Sequence, residues 1–157
     1  QRRQKDIAQG VDERMSKIEP QKVSLDGKEF LVEAEEKRLF DEAMAIVRAS
    51  DFPGAASALQ NFLRRYPQSG YGDSARFWLG NAHYGKRELK EAITMFRTFI
   101  ANAPDHARVP EAMLAIANSQ AESKDTKSAR LTLGELLRKY PQSEAAQAGK
   151  ERLAVLK

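Results

Sequence analysis

The sequence predicts an all-α superhelix of three helical hairpins with a capping helix, and three observations carry that prediction. The prolines Pro67, Pro104 and Pro141 recur at a spacing of 37 residues. Aligned on them, Ala55, Ala92 and Ala129 share one column, Leu59, Phe96 and Leu133 a second, and Phe62, Phe99 and Leu136 a third. Each copy thus sets one small and two large apolar residues on a single helical face, the pattern of a buried stripe. A further column holds Ala43, Gly80 and Ala117, small residues of the kind that let two helix axes approach to about 8–10 Å.

The run A-x3-[LF]-x2-[FL] before each proline is the second-helix half of a tetratricopeptide pattern, and Leu79-Gly80 supplies the first-helix half in the middle copy. The period exceeds the common repeat length by about three residues. These extra residues fall in 68–73, 105–110 and 142–147 and are expected to lengthen each following helix by about a turn.

In chain order, residues 1–19 read as a short helix, because Ile7, Val11, Met15 and Ile18 are spaced by three and four positions. The stripe resembles the end of a coiled coil, with Ile7, Val11 and Ile18 as its oligomerisation seam. Pro20 stops it. Residues 20–32, including Val23-Ser24-Leu25-Asp26-Gly27, show no helical period and read as a linker or an irregular strap over the first repeat. The tetratricopeptide domain is assigned to 33–157. Its first hairpin pairs a helix over about 33–49, carrying Phe40, Ala43, Met44, Ile46 and Val47, with one running to Tyr66. Ser50-Asp51 separates the two, and Pro53 sits in the opening turn, where a missing N–H is tolerated. The second hairpin is expected at 71–85 and 89–102, and the third at 108–122 and 126–139, with Pro110 near a helix start. A last helix over 144–156, capped by Ser143, is expected to pack Leu153 and Leu156 back on the third hairpin, closing the apolar end of the solenoid.

The bulk composition excludes several classes. The chain has 26 lysines and arginines against 22 carboxylates, a formal charge of +4, which reads as a solvated surface. It has no cysteine, so disulfides, thiolate metal sites and cysteine nucleophiles are out. No run approaches the roughly 18 apolar residues of a membrane span. Neither H-x-E, HExxH nor GxSxG occurs, the glycines form no phosphate loop, and Glu35 and Glu36 flank a helix start instead of converging on a pocket. His83 and His106 read as local structural residues, the latter aligned with Ser69 and Ser143. Arg64-Arg65 and Arg138-Lys139 sit at helix C-termini, where cations complement the dipole, so nucleic acid is not invoked. No enzyme activity, metal or cofactor is expected.

What remains is a protein-binding surface. In a tetratricopeptide array the first helices line the concave face, which places three columns there: Phe40, Phe77 and Leu114; Met44, Asn81 and Asn118; and Val47, Tyr84 and Ala121. Asn81 and Asn118 share a column one repeat apart, and a primary amide can bond an extended backbone or a terminal carboxylate. Trp78 and Tyr84 form an aromatic cluster, half or more of it expected in the core.

The residues Arg76-Phe-Trp-Leu-Gly-Asn-Ala-His-Tyr84, Lys90-Glu-Ala-Ile93, Phe96 with Phe99, and the Tyr-Pro-Gln-Ser runs at 66–69 and 140–143 resemble the family of the periplasmic Tol-Pal system protein YbgF, also called the cell division coordinator CpoB. That resemblance covers 35–157 most strongly, with 2–19 similar to the end of the family's coiled coil. It implies an exported periplasmic protein that binds TolA and couples outer-membrane constriction to septal peptidoglycan synthesis by a bifunctional penicillin-binding protein. It further implies a homo-oligomer through the N-terminal coiled coil; neither nucleic-acid binding nor direct membrane insertion is expected. Met44 departs from an asparagine in its column, which limits any amide ladder to two repeats. A second reading is a lipoprotein of outer-membrane protein assembly or secretion, since similar arrays serve there.

Overall fold

The apolar stripes fold as helices that stop where their backbone can turn. In the computed structural model, which describes residues 19–156, β1 (Gln21–Leu25) and β2 (Lys28–Val32) precede α1 (Ala34–Arg48), α2 (Phe52–Arg65), α3 (Gly72–Gly85), α4 (Leu89–Asn102), α5 (Val109–Glu122), α6 (Thr126–Lys139) and α7 (Glu144–Val155). The array is the expected set of three hairpins and a cap. The helix over 1–19, with Ile7, Val11 and Ile18, lies outside the described residues.

One device ends the first helix of every hairpin. Ser50, Arg87 and Lys124, one repeat apart, all adopt left-handed φ, at 58°, 66° and 68°. The next residue then donates to the carbonyl five positions back: Asp51 to Ile46, Glu88 to His83 and Asp125 to Gln120. This is a Schellman closure built without glycine. Two of the second helices begin on an aspartate side chain, with Asp51 accepting from the Gly54 N–H at 3.1 Å and Asp125 from the Ser128 N–H at 3.2 Å. Ser143 caps α7 as expected, accepting from the Ala146 N–H at 3.0 Å. In the third copy residues 144–147 open α7, but in the first two copies the extra residues do not lengthen the first helices. They form stacked turns, closed by Ser69 N–H to the Tyr66 carbonyl and Gly72 N–H to that of Ser69, and repeated at His106 and Val109. Proline and short polar residues favour such turns over another helical turn.

All nine residues of the three aligned apolar columns in α2, α4 and α6 are at most 1% exposed. All of them but Ala129 belong to two apolar clusters, one around Phe40, Phe62 and Tyr71 and one around Phe77, Phe96 and Phe99, and Trp78 packs against both. Leu153 and Leu156 of the cap pack on the second cluster. Each first helix touches the first helix of the next repeat, α1 with α3, α3 with α5, and α5 with α7, so these four form the inner layer.

Residues 20–32 correct the sequence expectation of a linker. They form an antiparallel hairpin in which Val23 faces Phe30 and Leu25 faces Lys28. The two-residue turn has Asp26 at φ 52° and Gly27 at φ 80°, the paired positive φ of a type I′ turn, for which Asp-Gly is a preferred sequence. The hairpin does act as a strap. Phe30 meets Tyr71 edge-on at 5.0 Å, and Tyr71 stacks on Phe40 at 4.1 Å. At the tip, the His106 Nδ1 accepts from the Arg108 N–H at 3.0 Å. Its Nε2 therefore carries the proton and donates to Asp26 at 3.1 Å. His106 thus has the structural role expected of it.

Candidate functional site: an inner-layer groove

Positions i, i+4 and i+7 of a helix share a face, but the three expected columns have different surroundings. Phe40, 5% exposed, and Phe77, 1% exposed, are core residues. Phe40 is held between Tyr71 and Phe62, and Phe77 contacts the rings of Trp78, Phe96 and Phe99 at 5.0–5.8 Å. This corrects their assignment to a groove. Both rings are packed into the apolar clusters between the paired helices. Leu114 is half-buried at the α7 side, close to where a side chain at Gly149 would stand.

Val47, Asn81 and Tyr84 come together. With Phe52, Ala55, Trp78, Ala82 and Gly85 they line a groove of about 340 Å³ between the first hairpin and α3. Asn81 donates from Nδ2 to the Phe77 carbonyl at 3.0 Å, which fixes the amide and leaves its Oδ1 as an acceptor. The Tyr84 phenol is pushed up from its ordinary pKa, first by burial and then by hydrogen bonding toward Glu122, so it stays a neutral donor. Glu122 is itself held by Arg87 at 3.0 Å. The Arg108 guanidinium lies 5.2 Å from the Trp78 ring centre and 5.3 Å from that of Phe77, bracing both rings by cation–π attraction. Met44, Asn118 and Ala121 are half-buried but do not line this groove.

Phe52 and Gly85 were not anticipated from sequence. A Cβ at Gly85 would overlap the Phe52 ring, so the glycine is what lets that ring lie across the end of α3. His83, beside the groove in sequence, is buried, with Nδ1 at 3.1 Å from Glu88, whose carboxyl it holds below the usual range together with Lys86. Among the described residues no cluster of His, Asp or Glu could hold a metal ion, and no helix is long and apolar enough to cross a membrane. The groove offers an apolar floor flanked by two acceptor oxygens, the Asn81 amide and the Tyr84 phenol whose proton is directed at Glu122, suited to an apolar side chain with a backbone N–H beside it.

Residues 32–157 match the family model of YfiO, described as an outer membrane lipoprotein. Over 57 residues, 36% of this chain, the sequence is 39% identical to the cell division coordinator CpoB of Pseudomonas putida, including strain KT2440. The matched stretch is 21% of that relative's length. Among solved structures, the Arabidopsis OM64 TPR domain aligns with TM-score 0.63 at 13% identity, over 76% of this chain and 93% of that one. The TPR2B domain of yeast Sti1, in its pHsp70 complex, aligns with TM-score 0.62 at 19% identity, over 76% and 94%. At these identities the two structures establish the fold alone.

Proposed function

This chain belongs to the YfiO outer membrane lipoprotein family and carries a CpoB-like tetratricopeptide domain, and we propose that it is a non-enzymatic periplasmic scaffold of cell division. In this reading it binds TolA and coordinates outer-membrane constriction with a peptidoglycan synthase complex. The observation that supports it is the groove of Val47, Trp78, Asn81 and Tyr84, a preformed apolar recess with two oriented polar groups and no reactive constellation. Recesses of this kind bind by seating an apolar anchor, and buried aromatic contacts dominate such interfaces. Asn118, Met44, Leu114 and Ala121 would extend the contact along the inner layer.

Tyr84→Ala is expected to weaken TolA binding by more than about 1 kcal/mol, and Asn81→Ala by less. Calorimetric titration of soluble TolA against each variant, beside its melting curve, checks this. Unchanged affinity in folded variants would remove the groove from the interface. The matching family's description favours a second reading, a lipoprotein of outer-membrane protein assembly or secretion. Mass spectrometry of the mature protein from the cell envelope separates the two, since only the second requires an acylated N-terminal cysteine.

Self-association belongs to the first reading. With Ile7, Val11 and Ile18 as the end of a coiled-coil seam, this chain is expected to associate weakly and a longer one, carrying a full coiled coil, strongly. Sedimentation equilibrium on both decides. A longer chain that stays monomeric at concentrations that saturate TolA binding contradicts the seam.

A further inference from the structure

The small net charge conceals a segregation. The outer helices α2, α4 and α6 carry eight lysines and arginines against two carboxylates, whereas the inner helices α1, α3, α5 and α7 carry six against nine. Most cations on the inner helices and the turns beside them are neutralised locally, as in Lys37 with Asp41 at 2.7 Å, Arg76 with Asp73 at 3.4 Å and Arg87 with Glu122 at 3.0 Å. Among the described residues, the one outer-helix cation within ion-pair distance of a carboxylate is Arg65, 3.8 Å from Glu35. Unpaired like charges on one face repel one another and raise the local positive potential.

That face also holds a recess. Between α4 and α6, above the N-terminal half of α5, a groove of about 320 Å³ has Ile100, Val109, Met113 and Ile116 in its floor, with two cations, Arg97 and Lys139, and one carboxylate, Glu135, among its other lining residues. We propose that this outer groove docks an acidic amphipathic polypeptide segment, apolar side chains on the floor and carboxylates against Arg97 and Lys139. The combination selects the partner's chemistry. A lipid surface is planar and cannot reach a floor sunk between two helices, and a nucleic acid offers charge but no aliphatic side chains for it. A segment with both features satisfies floor and rim together, and the unpaired cations around them would steer it in. This surface is separate from the Tyr84 groove and does not depend on it.

The test uses a fluorescein-labelled, helix-forming peptide of glutamate and leucine in amphipathic order, titrated by anisotropy against the 157-residue chain. Comparators are an all-glutamate peptide and vesicles of phosphatidylglycerol. Binding of the amphipathic peptide is expected to fall at least about tenfold in Arg97→Glu/Lys139→Glu. It should weaken with added salt and persist in Tyr84→Ala. Both reversed side chains are exposed, so the double variant should melt as the parent does. Affinity unchanged by the double reversal, equal binding of the all-glutamate peptide, saturable capture by vesicles, or no peptide binding at all would each overturn the proposal.

Discussion

Phe96→Ala should lower the stability of the array by about 3–5 kcal/mol, the range for deleting a buried phenylalanine ring. The ring is fully buried, meets Phe77 at 5.8 Å and lies against the backbone of α3. The cavity cannot close easily, because α3 and α4 are each held by a neighbouring repeat as well as by each other. Gly80 makes the contact testable from the other side, since a Cβ added there would stand 2.9 Å from Cε1 and Cζ of Phe96. Gly80→Ala should therefore cost about 1–3 kcal/mol in the parent by overpacking. In the Phe96→Ala background it should become neutral or favourable, since alanine exceeds glycine by about 1 kcal/mol in a helix. Urea denaturation of the four proteins closes the cycle. Additive effects would contradict the packing of the ring on that glycine.

Ala92→Phe is the second large effect, expected at about 1–3 kcal/mol of destabilisation. Ala92 is fully buried in the crossing of the second hairpin, in the column of Ala55 and Ala129. A benzyl group there must push α4 from α3, and the change propagates to α5. Ala101, exposed on the same helix, is the control, where phenylalanine should shift stability by no more than about 0.5 kcal/mol. Equal denaturation midpoints for Ala92→Phe and the parent would contradict the repeat register.

The helical array was legible because burial repeats: the three apolar columns of the second helices, drawn from the 37-residue period, are all in the core. Other features were written in the chain but in a different period. Val23, Leu25, Phe30 and Val32 alternate around Asp26-Gly27 as strand residues do, and a search for helical spacing passes over alternation. The helix ends before Ser50, Arg87 and Lys124 fall where the repeat placed them, but their left-handed backbone was hidden for another reason, since it carries none of the glycine that usually marks it. In the site, Val47, Asn81 and Tyr84 were legible from their shared face. Phe40 and Phe77 were not separable from them, because helical spacing specifies an angle around the axis and says nothing of which neighbour lies there. The role of Phe52 rests on Gly85, a pairing visible only once α2 and α3 are side by side.

Stacked repeats ordinarily contact only their neighbours, so they can fray from either end in stages. The hydrogen bond from His106 to Asp26 joins groups 80 residues apart, and with it the chain before the first repeat touches the entrance to the third. This closes a loop of chain across the first two repeats. Closing it late in folding costs little more entropy than closing a loop half its size, since the penalty grows only logarithmically. The contact nonetheless raises the contact order above that of a bare solenoid and slows assembly accordingly. The consequence is cooperativity: loss of the turn that carries His106 frees the hairpin tip, and departure of the tip loosens Phe30 from the Tyr71–Phe40 stack of the first two repeats.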